Sequence, residues 1–321
     1  MPHTNKPRSG TLQYSPRKRA KRTFARVRSW PIAKDIKPLG FPGYKVAMTH
    51  VVITDNKSTS MTKGNDISLP VTIVECPPIK TASILFYKKT PYGLKVSSAV
   101  MSQKLDKELA KRISIPKEIK NKIEDYKPEE YDDIKILVYT QPKLTTIGKK
   151  KPELFEIAIN GKIQEKYNWA KENFGKEINI NDIFSEGMQI DIHAITTGRG
   201  FQGPTKRFGT SLRSHKSEKG VRGPANLGAW TGNRSWTVAH AGQTGYHQRL
   251  EYNKWLIKIG TKPEEINNKS GFRGYGLVKN QYILLKGSIP GPRKRMIILT
   301  NPARPNKSTP KDAPSIQYIS K

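Results

Sequence analysis

The sequence predicts a mainly β protein: a closed antiparallel barrel, an α+β insertion in one of its connections, and two long basic segments that enter no core. Three observations predict it. Short apolar runs recur along the chain with Gly and Pro between them and hardly any intervening helix. Residues 101–191 depart from that pattern, mixing helical and strand periodicity at balanced charge, 17 basic against 17 acidic residues. The remaining charge is lopsided: across 321 residues Lys plus Arg number 58 and Asp plus Glu 26, a net +32. Self-repulsion on that scale opposes folding, and a polyanion, usually nucleic acid, would offset it.

Residues 1–34 form the first basic segment. No acid precedes Asp35, and Lys6, Arg8, Arg17, Lys18, Arg19, Lys21 and Arg22 lie among Pro2, Pro7, Gly10 and Pro16. Without periodicity it reads as an arm that a partner orders, with Tyr14, Phe24 and Trp30 offering faces for bases to stack on. Residues 35–100 supply the first barrel strands, "GYKVAMTHVVITD" (43–55), "VTIVEC" (71–76), "TASILFYKK" (81–89) and "LKVSSAV" (94–100). The insertion, 101–187, holds helical patterns at 102–113 and 161–174 and strand patterns at 133–142 and 153–159. It reads as a solvent-facing subdomain without chemistry of its own. The chain returns to the barrel at 188–196, where His193 lies in a strand pattern and reads as a sheet-face or core residue. Residues 250–300 complete the barrel through "KWLIKIG" (254–260), "YGLVKNQYILLKG" (275–287) and "RMIILT" (295–300). Residues 301–321 form a tail. Trp169 and Trp255 read as structural, on a helix face and a barrel strand.

Residues 197–249 are the second basic segment. They contain ten glycines, nine Lys or Arg residues and one acid, Glu218. A loop this long fits a compact domain only if it leaves it. Folded back on itself, at ~26 residues per side and ~3.3 Å each, it reaches at most about 85 Å. Gly198, Gly200 and Gly203 match the spacing of a dinucleotide-binding turn, but that turn needs a helix directly after the glycines and an acid about 20 residues on. "PTKRFGTSLRSHKS" has no apolar face and a further glycine at 209, so NAD is rejected. These glycines instead let backbone lie against sugar-phosphate, with Arg199, Lys206 and Arg207 on phosphates and Phe201 stacking. Gln202, Arg213, His215, Lys216, Arg222, Trp230, Arg234, Trp236, Gln243, Tyr246, His247 and Arg249 complete the RNA-binding candidates. His215, His240 and His247 sit among arginines that disfavour imidazolium and suit them to hydrogen bonds with RNA.

Several classes are set aside. No stretch approaches the ~18 apolar residues of a spanning helix, and residues 1–30 lack a signal peptide's apolar core. The four prolines and Gly10 of the first 31 residues break any amphipathic transit helix. The one cysteine, Cys76, excludes a disulfide framework and a cysteine metal cluster, suggests the cytoplasm, and reads as a small buried hydrophobe. The histidines lack a carboxylate or thiolate cluster, so no metal and no cofactor is expected.

The blocks "TGRGFQGPTKRFG", "GAW…WTVAHAGQTGYHQRLEYNKWLIKIG" and "GFRGYGLVKNQYILLKGSIPGPRKR" resemble the ribosomal protein L three family of the large subunit, in its archaeal and eukaryotic form. "PRSGTLQYSPRKRAKR" resembles that family's N-terminal extension, and the likeness is weakest over 101–191. The resemblance implies a six-stranded barrel of the translation-protein type with an inserted α/β subdomain. It also implies an arm and a central extension that thread through rRNA toward the peptidyl-transferase centre. Trp236 matches the family's tip tryptophan, and Gln243 a glutamine that some bacterial members methylate. An early assembly role, binding near the 3′ end of the large rRNA, and contacts with neighbouring large-subunit proteins follow as expectations. Where eukaryotic and most archaeal members read Trp-His-Pro, this chain reads Trp230-Thr231-Gly232, so no role of that histidine transfers.

No nucleophile–base–acid set is visible, and a structural rRNA-binding protein rather than an enzyme is expected. Two other readings remain at this point. An RNA-modifying enzyme with a basic arm would show catalysis free of ribosomes. A nonspecific chromatin-type protein would bind duplex DNA and rRNA equally.

Overall fold

The computed structural model describes residues 14–33, 35–119, 121–216, 219–224 and 238–321. Their elements, in chain order, are β1 (Gly40–Thr54), β2 (Asp66–Glu75), β3 (Ile79–Thr90), β4 (Gly93–Met101), β5 (Asp133–Tyr139) and β6 (Leu154–Ala158). Then come α1 (Ile163–Glu172), β7 (Glu177–Ile178), β8 (Gln189–Ile195), β9 (Phe201–Gln202), α2 (Pro204–Phe208) and β10 (Gly242–Gln243). The last are β11 (Gln248–Gly260), β12 (Tyr282–Lys286), β13 (Met296–Thr300) and β14 (Ile316–Ile319). The protein is mainly β, as its alternation of apolar runs and Gly/Pro breaks requires. Residues 24–194 and 249–321 make one compact unit, the strand core; the described parts of 1–23 and 195–248 make the other, the hairpin unit.

Two sheets build the strand core. One runs β13-β8-β11-β12-β2-β1-β14, and β1 also pairs with β13 from Gly40↔Thr300 to Tyr44↔Met296. β1 serves three neighbours because it is 15 residues long: its start meets β13, its end meets β14, and β2 follows it from Tyr44 to Thr54. The other sheet runs β4-β3-β5-β6, with β7 added against β3. A single apolar cluster, including Phe41, Val46, Ile73, Ile84, Ile136, Ile192, Leu284 and Ile298, joins the two sheets.

Several expectations change. β3 and β4 lie in the second sheet, because β3 pairs with β5 along Lys80–Tyr87 and is therefore the centre of the inserted layer. The helix expected at 102–113 is a single 3₁₀ turn, Lys107–Lys111. Only Leu109 is buried there, against Ala82 and Tyr139, and Pro116 blocks continuation. The helix expected at 161–174 forms as α1, where the Glu165 carboxylate accepts the Lys162 N–H at 2.8 Å. Residues 275–281 are not strand because buried Glu75 captures them: it accepts from the Tyr275 hydroxyl, the Lys279 and Asn280 backbone N–H groups and the Asn280 amide at 2.5–3.0 Å. Phe24 is no stacking platform, and Trp30 is partly buried against the core. Phe24 is buried in the core with its ring 6.1 Å from that of Phe155, and Trp30 packs on Gly40.

Cys76 is buried as expected, and burial pushes its thiol pKa well up. Trp255 is buried, donating its indole N–H to the Gly187 carbonyl at 3.0 Å. His193 is half-buried in β8, and desolvation holds its pKa below the ordinary imidazole value, opposed by Asp191. Among the described residues no helix is long and apolar enough to cross a membrane, and no group of His, Cys, Asp and Glu could hold a metal ion.

Candidate nucleic-acid interface

The hairpin unit begins where two chain segments approach with glycines at every tight step. Thr196 N–H donates to His247 O, Tyr246 N–H to Thr197 O, Arg199 N–H to Thr244 O and Thr244 N–H to Gly200 O, at 2.8–3.2 Å. β9 and β10 continue this stem, with Gln243 opposite Phe201 and Gly242 opposite Gln202. Gly245 has φ +71°, and a Cβ there would lie 2.0 Å from the Thr197 carbonyl oxygen, so only glycine lets the strands meet.

The dinucleotide spacing resolves here. A helix does follow Gly203, contrary to the sequence reading, but α2 is five residues long and ends at Gly209 in the left-handed region. With a two-residue β9 before it, there is no strand–helix unit to seat a pyrophosphate.

Arg207, expected on a phosphate, is internal scaffolding. Its guanidinium donates to the carbonyls of Gln243 (3.0 Å), His240 (3.0 Å), Ala241 (3.3 Å) and Arg17 (3.3 Å), so α2, the returning strand and the arm share one fork. A Cβ on Gly242 would lie 2.9 Å from that guanidinium. His247 likewise turns inward. Buried, its Nε2 accepts the Gly245 N–H at 3.1 Å, which leaves the proton on Nδ1 to donate to the Lys18 carbonyl at 3.0 Å. Arg213 is drawn to the Pro224 carbonyl at 2.5 Å. The Gln243 amide donates to the Gly245 carbonyl at 3.0 Å, and that of Gln202 to the Arg199 carbonyl at 2.9 Å.

The arm is therefore bound to the stem. Ala20 N–H donates to Tyr246 O at 2.9 Å, Arg17 lies 4.3 Å from the Phe208 ring centroid and Arg19 5.3 Å from that of Tyr246. Internal contacts thus consume Arg207 and His247 and part of Arg17 and Arg213. The exposed cations among the described residues are Lys18, Arg19, Lys21, Arg22, Arg199, Lys206, Lys216, Lys219 and Arg222, with His215 exposed among them. Phe201 is 77% exposed on this surface. No Asp or Glu occurs among the described residues of the unit. Arg249 lies half-buried on β11 in the strand core. Lys6, Arg8, Trp230, Arg234 and Trp236 lie outside the described residues.

Among the described residues this surface combines exposed Arg and Lys, glycine joints, an exposed aromatic ring and no acid, the chemistry that suits phosphate and base. The model of the family described as ribosomal protein L3 matches residues 1–321. The chain belongs to the ribosomal protein L3 family. Its relatives include the large ribosomal subunit protein uL3 of Methanobrevibacter smithii, 46% identical over 331 residues, which cover 100% of this chain and 98% of the relative. The uL3 proteins of Archaeoglobus fulgidus and Methanocaldococcus jannaschii are 43% and 44% identical over 322 and 324 residues, each covering 98% of this chain. They span 97% and 96% of those relatives. Membership of the L3 family makes this a structural protein of the large ribosomal subunit, and the RNA-modifying enzyme and chromatin readings fall.

Proposed function

We propose that the hairpin unit is the principal rRNA-binding surface, carried into the subunit interior by a strand core whose cyclic pairings form the closed six-stranded barrel of the translation-protein type. The observation that carries this reading is the division of cations within the unit. Arg207 is spent on carbonyls to fix the fold, while Lys18, Arg19, Arg199 and Lys206 stay exposed with no acid beside them. Among the described residues such a surface offers phosphate contacts with no Asp or Glu of the unit to compete. Phe201 supplies a stacking face, Gln202 and Gln243 hold the stem, and Trp230, Arg234 and Trp236 extend the contact toward the peptidyl-transferase centre. Early assembly near the 3′ end of the large rRNA, contacts with neighbouring ribosomal proteins, the cytoplasmic ribosome as location, and sequence boundaries near 35, 101, 188, 197 and 250 belong to the same reading.

The test is nucleotide probing of large subunits assembled with wild-type chain or with Trp236→Ala. Altered reactivity confined to peptidyl-transferase nucleotides, with assembly intact, is expected. Unchanged reactivity together with a lower melting temperature of the free protein would make Trp236 a structural residue and remove the extension from that centre.

A further inference from the structure

The strand core carries a second basic surface on an element outside the interface above. Residues 76–105 contain no Asp or Glu and five lysines, Lys80, Lys88, Lys89, Lys95 and Lys104. Three of these cluster at the end of the β3–β4 hairpin. β3 pairs with β5 only as far as Tyr87↔Asp133, whereas its pairing with β4 continues through Lys88↔Lys95, Lys89↔Leu94 and Thr90↔Gly93. The hairpin thus outruns the sheet as a two-stranded ribbon with no third strand among the described residues. Every residue from Lys88 to Ser97 except half-buried Thr90 is exposed.

Three features of the ribbon are unfavourable in isolation. Lys88 and Lys95 stand directly opposite each other across the strands, a like-charge pair that destabilises a ladder. Two-stranded ribbons are marginal in water. The turn Thr90-Pro91-Tyr92-Gly93, closed by the Thr90 hydroxyl on the Gly93 carbonyl at 2.7 Å, lifts Tyr92 fully into solvent at 101% exposure. Of the nearby acids, Asp132 accepts the Lys89 N–H at 2.6 Å and Asp133 is paired with Lys166 and Lys135, while Lys88 lies 5.1 Å from the Tyr131 ring centroid. A polyanion with stackable faces relieves all three features at once: phosphates separate the facing lysines and a base covers the ring.

We infer that the β3–β4 hairpin tip is a second, separate rRNA contact, in which Tyr92 stacks on a base while Lys88, Lys89 and Lys95 hold flanking phosphates. This rests on the rRNA-binding reading above. An acidic or apolar protein partner is the competing occupant, since Leu94 and Val96 are 49% and 40% exposed on the ribbon. The charge pattern favours RNA, because the three lysines flank the turn with no acid in the segment.

Two experiments on the full chain decide it. A photo-cross-linking amino acid in place of Tyr92, in chain assembled into large subunits, should cross-link to rRNA; cross-links confined to protein overturn the inference. In solution, Lys88→Gln/Lys89→Gln/Lys95→Gln should make log K against log salt for large-subunit rRNA shallower by about 2–3. Tyr92→Ala should weaken binding on the order of tenfold. Both variants should melt no lower than wild type. An unchanged slope and affinity against a steep wild-type dependence overturns this inference alone, while a flat wild-type dependence overturns the rRNA reading and this inference with it.

Discussion

In the strand core, the buried carboxylates of Glu75, Glu153 and Asp191 are surrounded by the protein's own donors. Glu75 takes four hydrogen bonds from the 275–280 segment, Glu153 accepts from Tyr44, Thr140 and Lys149, and Asp191 accepts the Asn253 and Ala303 N–H groups. In the hairpin unit the polarity is reversed. Most internal acceptors are carbonyls, the side-chain donors include Arg207, Arg213 and the Gln202 and Gln243 amides, and the exposed charges of its described residues are all positive. The buried carboxylates of the core are satisfied internally, while the hairpin unit is fixed in shape and keeps exposed cations. That difference separates substitutions that lower stability from those that lower RNA affinity.

The largest effect is expected at Glu75. Glu75→Ala leaves the Tyr275, Lys279 and Asn280 donors without their acceptor and should destabilise the fold by about 3–4 kcal/mol in chemical denaturation. The salt slope of RNA binding should stay as in wild type; a parallel loss of slope would break the separation. Gly245→Ala comes next. The left-handed backbone costs about 1–2 kcal/mol for a non-glycine residue, and the Thr197 carbonyl stands where the methyl would go. RNA affinity should drop at least tenfold while the core transition in thermal melting stays in place.

Arg207→Lys keeps the charge and removes the fork. Its expected cost is about 1–2 kcal/mol of affinity, close to that of Arg207→Ala, because the side chain acts on carbonyls. A Lys variant that binds like wild type would return Arg207 to the phosphate contacts. Lys206→Ala, by contrast, should only make the salt slope shallower by about 0.7–0.9. The smallest effect concerns pH. His193 has its folded pKa below its ordinary value of about 6.5, so the unfolded chain binds the proton more readily and stability falls as pH drops below that value. His193→Gln should flatten the melting temperature between pH 7 and 5.

Much of this division was legible in the chain. Apolar runs located β1, β2, β5, β6, β8, β11 and β13, because each is a contiguous stretch whose burial its own residues dictate. Acid-poor composition set residues 1–34 and 197–249 apart from the apolar runs. What stayed hidden depends on partners distant in sequence. Whether β3 joins one sheet or the other is decided by β5, some 50 residues on, and residues 275–281 lose their strand to a carboxylate 200 positions away, a separation that leaves no local signal. The roles of Arg207 and His247 were hidden for the same reason: a basic loop shows how many cations it has, not which of them face carbonyls. β14 was too short and polar to stand out, and the Tyr92 turn lay beyond the balanced segment without an apolar pattern to mark it.

The most direct test of the central claim is the salt dependence of binding to large-subunit rRNA. It should be measured for wild type and for a variant with Lys18, Arg19, Arg199 and Lys206 replaced by Gln. The wild-type slope of log K against log salt should be roughly −4 to −9, made shallower by about 3–4 in the variant, with the melting temperature unchanged. A wild-type slope near zero, or a variant slope equal to that of wild type, would contradict the claim.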